Sequence, residues 1–158
     1  MDEFEKFYNK ALKFLSYRPR SEKEIRDYLE IKTQKSKLKN DDKIIESIIR
    51  RLKENNFIND EEFIKWWFEQ RTTFKPRSLK LIKIELRQKG IDKELIEETI
   101  VHLPSTIDDL KSAKKLIEKR LPRYKNLPQD KKFQKVARYL SSKGFNYDII
   151  KEIFKEIS

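Results

Sequence analysis

The sequence predicts an all-α protein: a tandem array of three three-helix repeats, about nine helices in all, elongated and curved. Three observations predict it. Apolar residues recur at intervals of three and four along nearly the whole chain, which is the spacing of amphipathic helices. Leu, Ile, Lys and Glu are abundant, whereas two Val and five Thr among 158 residues are few for a sheet protein. Two stretches of sequence also reappear at fixed offsets, as tandem repeats do.

Start and stop signals divide the periodic pattern into nine segments. Ser21 with Glu24 has the spacing of a capping box and opens the second predicted helix, after the first has ended before Pro19. Asp41 and Asp42 open the third, where their negative charges complement the helix dipole. The predicted helices cover residues 2–17, 21–33, 41–55, 60–73, 77–89, 93–103, 106–121, 130–142 and 147–157.

The later helices are bounded in the same way. Asn59 with Glu62, and Ser105 with Asp108, repeat the capping-box spacing before the fourth and seventh helices. Prolines separate other segments, and two glycines suit the left-handed position that ends a helix. These punctuating residues are Pro76, Pro104, Pro128, Gly90 and Gly144.

Internal repetition sets the predicted domain organisation. Pro19-Arg20-Ser21 reappears as Pro76-Arg77-Ser78 at an offset of 57, and the pattern around Lys89-Gly90 reappears around Lys143-Gly144 at an offset of 54. We therefore expect three-helix repeats at residues 1–58, 59–104 and 105–158, each burying its apolar face partly against its neighbours.

Composition narrows the classes of function. The chain has no Cys, which excludes disulfides and thiol chemistry, and its one histidine, His102, leaves too few ligands for a His-rich metal site. The acidic residues lie at helix starts, and only two glycines are present, so no acid/base pair or phosphate loop is predicted. We expect a soluble, cytoplasmic protein that is not an enzyme and needs no cofactor or metal. Its net charge of +11 indicates a polyanionic partner.

The repeats resemble the RecX family of regulatory proteins. The most specific matching segments are Arg20-Ser21-Glu22, Phe57-Ile58-Asn59-Asp60 and Lys89-Gly90-Ile91, and the similarity covers nearly all of the chain. The sequence departs from the family pattern at Asn56, where a glycine is usual. The resemblance implies tandem three-helix repeats and a modulator of the recombinase RecA, one that binds its filament on single-stranded DNA and inhibits ATPase, strand exchange and coprotease activities.

Independently of that resemblance, basic residues fall on two equivalent helices. Residues 105–158 carry 14 basic and seven acidic side chains. In each helix the basic residues share an arc opposite the apolar stripe, where they can contact a DNA backbone or an acidic protein, or can form an ordinary solvated face. The candidate binding residues, including arginines beside the prolines and in the basic segment 120–125, are Arg18, Arg20, Arg77, Lys80, Lys83, Arg87, Arg120, Arg123, Lys131, Lys132, Lys135 and Arg138.

The aromatic residues are interpreted mainly as core. Phe14, Phe57, Phe133, Phe145 and Trp67 fall on core positions, whereas Trp66 packs between repeats or meets a partner. Tyr124, in a basic loop, is the one candidate for stacking on a base, with a plain polar connection as the alternative.

The sequence leaves two further functions open, and the chain is expected to be a monomer. A stand-alone helix-turn-helix nucleic-acid-binding protein would need a recognition helix, but the third helix of each repeat is rich in acidic residues. A scaffold for some other acidic protein is the remaining possibility.

Overall fold

The computed structural model describes residues 2–36, 41–103 and 109–157 and shows an all-α fold over those ranges. The predicted fold class is confirmed, and the described part of the chain contains no strand. None of its helices is long and apolar enough to cross a membrane. The α-helices are α1 (Glu3–Tyr17), α2 (Glu22–Lys35), α3 (Asp41–Glu54), α4 (Asp60–Glu69), α5 (Leu79–Gln88), α6 (Lys93–Val101), α7 (Asp109–Glu118), α8 (Gln129–Ser142) and α9 (Tyr147–Ile157).

Most helix starts follow the predicted chemistry. Ser21 and Glu24 form a complete capping box at α2, with each side chain accepting a hydrogen bond from the backbone amide of the other. At α4 the Asn59 side chain accepts from the amide of Glu62 at 3.2 Å. The predicted box of Ser105 and Asp108, like Pro104, lies outside the described residues.

Two short elements were not predicted. A π-helix, Gln70–Phe74, continues from α4 where the sequence predicted regular helix. A 3₁₀ turn, Leu121–Tyr124, follows α7 where the sequence predicted a loop, and Pro122 occupies its first turn, a position that needs no backbone donor. In addition, α5 begins at Leu79, so Arg77 precedes this helix, whereas the prediction placed it on the helix.

The chain forms two compact units, each with its own core. Unit 1 comprises Met1–Trp66 and Leu86–Val101. Its main hydrophobic cluster lies among α1, α2 and α3, where Phe7, Ile25, Leu29, Ile48 and Leu52 are fully buried. These are the residues at three and four residue intervals that predicted amphipathic helices, so the local pattern determined which faces pack.

Unit 2 comprises Trp67–Glu85 and His102–Ser158. Its main cluster joins α7, the 3₁₀ turn, α8 and α9 through Ile117, Val136, Leu140 and Ile153, all fully buried. The two units do not coincide with the three predicted repeats, whose boundaries stay a prediction.

Burial corrects two assignments of aromatic residues. Tyr124 is only 8% exposed and packs in the unit 2 cluster, so it is not available to stack on a base. The reason is the 3₁₀ turn, which directs this side chain inward. Phe57, predicted as core, is 52% exposed. Phe145 is buried as predicted, while Phe14 and Phe133 are partly buried and pack against the two main clusters.

Candidate functional site: a basic cleft in unit 2

Basic side chains from two elements lie close together where the 3₁₀ turn meets α8. A cleft of about 380 Å³ opens there, and four of the predicted binding residues line it: Arg120, Arg123, Lys135 and Arg138. Tyr139 and Ser142 complete the lining together with the buried Tyr124. Residues 12 to 18 positions apart in sequence thus meet in one concave site, which a single helix face does not form by itself.

One face of α8 forms the longer wall of this cleft. At 100° per residue, Lys131, Lys135 and Arg138 fall within about 60° of one another, and Ser142 continues the same line. The apolar Val136 and Leu140 point the other way into the core. From Lys131 to Ser142 this face extends about 16 Å along the helix. Lys132 lies one residue, or about 100°, to the side and is half-buried.

Tyr139 holds two cations at the cleft. The guanidinium carbon of Arg120 lies 4.0 Å from the centre of the tyrosine ring, and the Lys143 Nζ lies 5.5 Å from it. Stacking on an aromatic face fixes a guanidinium plane while leaving its N–H groups free to donate. Arg120 is therefore oriented for bidentate contact with a phosphate or carboxylate.

Lys143 links the cleft to a second group of cations. Burial and the positive charges of Arg77, Arg120 and Arg71 lower the pKa of Lys143 below its ordinary value. Arg71 is neutralised, because it forms an ion pair with Glu85 at 2.9 Å in which both side chains are about one-fifth exposed. Arg77 donates to the neighbouring carbonyl of Pro76 at 2.9 Å, which leaves its charge in place. A bound anion would relieve the repulsion among Lys143, Arg77 and Arg120.

The remaining predicted residues lie elsewhere. In unit 2, Lys80 on α5 is exposed and Lys83 is half-buried, whereas Arg87, at the other end of this helix, belongs to unit 1 and is exposed. Arg18 has a structural role: it forms an ion pair with Glu24 and donates to the carbonyl of Pro19 at 2.7 Å. Arg20 stacks on Phe14 at 3.8 Å from the ring centre.

Sequence reasoning missed Tyr139 and Lys143 as members of the site. The repeated Lys-Gly pair at 89–90 and 143–144 was visible in the sequence, but it indicated only the end of a helix. Both tryptophans are half-buried, and each carries an arginine over its ring: Arg18 lies 6.0 Å from the centre of Trp66, and Arg71 lies 4.6 Å from the centre of Trp67. The prediction that Trp67 belongs to the core is therefore only partly met.

The fold and the site define a class: an all-helical protein with a basic cleft that suits anions. In the residues that the structure describes, no group of three acidic or histidine side chains could hold a metal ion. The site's chemistry is that of N–H donors and positive charge, which binds and orients phosphate or carboxylate groups.

Comparison with known proteins identifies the family. Three family models match along the chain: the first, second and third three-helix domains of RecX, at residues 8–33, 59–100 and 107–154 respectively. The chain therefore belongs to the RecX family of regulatory proteins. The crystal structure of RecX from Lactobacillus salivarius is 31% identical, with a TM-score of 0.72 over 97% of this chain and 95% of that one.

Two curated relatives show the same relationship in sequence. The regulatory protein RecX of Streptococcus uberis is 34% identical over 95% of this chain, and that of Bacillus subtilis is 33% identical over 99% of it. The chain spans 55% and 56% of the length of these two relatives.

Proposed function

We propose that this chain is a non-catalytic regulator of a RecA-type recombinase in the bacterial cytoplasm, where it modulates recombination and DNA repair. It binds, as a monomer of three three-helix repeats, to the recombinase filament on single-stranded DNA. Binding inhibits ATP hydrolysis, strand exchange and the coprotease activity that the filament exerts in the SOS response. Membership of a family whose relatives are called regulatory proteins supports this proposal.

The basic cleft is the observation that carries the proposal. Arg120, Arg123, Lys135 and Arg138 converge on a concave site, and a filament on DNA offers phosphates and acidic protein surface together. Each phosphate neutralised by a cation releases counterions, so the cleft makes binding to single-stranded DNA weak and sensitive to salt. Several modest contacts made along one filament reinforce one another through effective concentration.

The direct test is a titration of this protein into recombinase and single-stranded DNA at low salt, with ATP hydrolysis and co-sedimentation as readouts. We expect turnover to fall as the protein associates with the filament. A second titration with a large excess of single-stranded DNA separates two causes, because inhibition by simple capture of DNA is relieved by the excess and inhibition on the filament is not. Unchanged turnover without filament association contradicts the proposal, and sequence-specific binding to duplex DNA indicates a stand-alone nucleic-acid-binding protein.

A further inference from the structure

Unit 1 carries a second concave feature that the basic cleft does not explain. A notch of about 230 Å³ lies beside the start of α4, lined among others by Arg20, Asn56, Phe57, Glu62, Phe63 and Trp66. It is smaller than the roughly 300–1,000 Å³ typical of small-molecule sites. Three aromatic side chains with one cation and one carboxylate at the rim instead resemble the anchor pockets of protein interfaces.

Phe57 directly follows a left-handed residue at the end of a helix. At two other helix ends of this chain, the residue in that position is buried. The chain leaves α3 through a Schellman motif: Asn56 has φ of 58°, its amide donates to the Lys53 carbonyl at 3.0 Å, and the Phe57 amide donates to Leu52 at 2.8 Å. Gly90 and Gly144 end α5 and α8 with the same pair of hydrogen bonds.

The residue after each glycine is Ile91 or Phe145, and these are 1% and 3% exposed. Phe57 occupies the same place in its turn but is 52% exposed. The turn therefore does not require burial of this aromatic ring, and its large apolar surface faces the notch and the solvent.

Two packed aromatic rings form the floor of the notch. Phe63 is 2% exposed, and its ring centre lies 5.8 Å from that of Trp66. Arg18 lies over Trp66, but its charge is balanced by Glu24, so it restrains the indole and adds little net charge to the notch. A preformed aromatic floor lowers the entropy cost of binding an apolar side chain.

Arg20 gives the notch its charge preference. Its guanidinium stacks on Phe14, its Nε is buried without a hydrogen-bond partner, and no carboxylate in the described part of the chain lies within ion-pair distance. Burial and the charge of Arg18 lower its pKa from the ordinary arginine value. A carboxylate that binds beside Arg20 would therefore be stabilised, because it would balance the positive charge and accept hydrogen bonds from the guanidinium.

The rim also discriminates between classes of partner. Glu62 lines the notch, and the adjacent Asp60 and Glu61 make the first turn of α4 acidic. Lys65 forms ion pairs with both Glu61 and Glu62, but three carboxylates against one lysine leave this turn with a net negative charge. That charge repels a run of phosphates, whereas a polypeptide that carries a single carboxylate meets Arg20 without approaching the acidic side. Charge complementarity therefore favours a protein segment over DNA.

We propose that the notch docks a segment of the protein partner, with an apolar side chain inserted among Phe57, Phe63 and Trp66 and a neighbouring carboxylate on Arg20. This inference rests on the proposed function, because the partner in question is the recombinase protomer of the filament. In this proposal unit 1 recognises the protein partner, and the basic cleft of unit 2 binds the polyanion.

The test compares binding of two immobilised targets, a recombinase filament and the same oligonucleotide without recombinase. F57A and R20Q remove the anchor surface and the cation separately, and Y17A removes an aromatic ring that is 72% exposed on the same unit as a matched control. We expect F57A and R20Q each to weaken filament binding about tenfold or more, as loss of an interface hot spot does. Binding to the bare oligonucleotide should stay unchanged in both variants, and Y17A should match the wild type. The thermal midpoint should stay unchanged in F57A and fall slightly in R20Q, because the glutamine loses the stacking on Phe14. Circular dichroism at the assay temperature checks that R20Q is folded.

A photo-crosslinking variant, Phe57→p-benzoylphenylalanine, identifies the molecule in contact. Crosslinks to the recombinase support the proposal, whereas crosslinks to DNA, or equal losses on both targets, overturn it. Filament binding that F57A and R20Q leave unchanged also overturns it while leaving the proposed function intact. If the wild-type protein does not bind the filament at all, the proposed function itself fails and this inference fails with it.

Discussion

Replacing two cations of the basic cleft gives a prediction whose size follows from the structure. The double variant K135Q/R138Q removes two positive charges from the exposed face of α8 and leaves the buried Val136 and Leu140 in place. For single-stranded DNA, the slope of log K against log salt changes by about 0.7 for each phosphate that the protein no longer neutralises. Two such phosphates therefore account for a reduction in slope of about 1.4.

The change in slope also sets the change in affinity. Relative to 1 M salt, a slope change of about 1.4 corresponds to a roughly 25-fold loss at 0.1 M and a roughly fivefold loss at 0.3 M. At 0.1 M this is about 1.9 kcal/mol of binding free energy. Fluorescence anisotropy of a labelled oligo-dT, measured at four or more salt concentrations, gives both slope and affinity.

The matched control is K151Q/K155Q, which removes two exposed charges from α9 in the same unit. If the cleft binds the polyanion, the control loses little affinity and keeps most of the slope. Equal losses in the two variants, with unchanged circular dichroism melting curves, would show that only net charge matters and would refute the cleft as a site.

Two further predictions concern stability. G144A should lower the free energy of unfolding by about 2 kcal/mol or more, because Gly144 has φ of +91° and a Cβ there would lie 2.5 Å from the Ser78 Oγ and 2.7 Å from the Leu81 Cβ. G90A should cost a similar amount in the same urea titration, because Gly90 has φ of +80° and its added Cβ would lie 2.1 Å from the Lys23 Cδ and 2.5 Å from the Lys23 Cβ. A cost well below about 1 kcal/mol at either position would contradict the role of these contacts. E24Q should destabilise the protein by about 1–3 kcal/mol at pH 7: burial alone would raise the pKa of Glu24, but hydrogen bonds from Arg18 and Ser21 and the charges of Arg18 and Lys89 lower it. Because the pKa of Glu24 is lower in the folded than in the unfolded protein, its charge stabilises the fold above the unfolded value, and this contribution is lost as pH falls through the folded value. The difference in stability between the two proteins should therefore shrink as the solution is made more acidic, and a difference that stays constant with pH would contradict this account.

Local chemistry explains why so much of the secondary structure could be predicted. A capping box needs only residues three positions apart, so Ser21 and Glu24 identify the start of α2 without reference to the rest of the molecule. A helix end with positive φ favours glycine, because glycine has no Cβ to clash with the backbone. Gly90 and Gly144 therefore identify two helix ends. The cationic face of α8 is likewise a consequence of helical periodicity.

The composition of the sites could not be predicted in the same way, since it depends on contacts between residues far apart in sequence. Tyr124 lies among basic residues in the sequence, but the 3₁₀ turn directs it into the core. Arg18 and Arg20 both flank Pro19, and the sequence does not distinguish them. In the structure Glu24 forms an ion pair with Arg18 and not with Arg20. The grouping of Lys143, Tyr139 and Arg120 requires the ends of α7 and α8 to meet.

The sequence alone determined that this protein is helical, where most helices begin and end, which faces are apolar, that its net charge is strongly positive, and that it resembles the RecX family. All of these properties follow from interactions within a few residues or from composition. Only the tertiary structure decided that Arg120, Arg123, Lys135 and Arg138 line one cleft, that Tyr124 is buried, and that Phe57 is exposed beside Trp66. The physical reason is that side chains with the same local propensity become buried or exposed, paired or unpaired, according to the space and charge around them. Segments that are distant in sequence determine both.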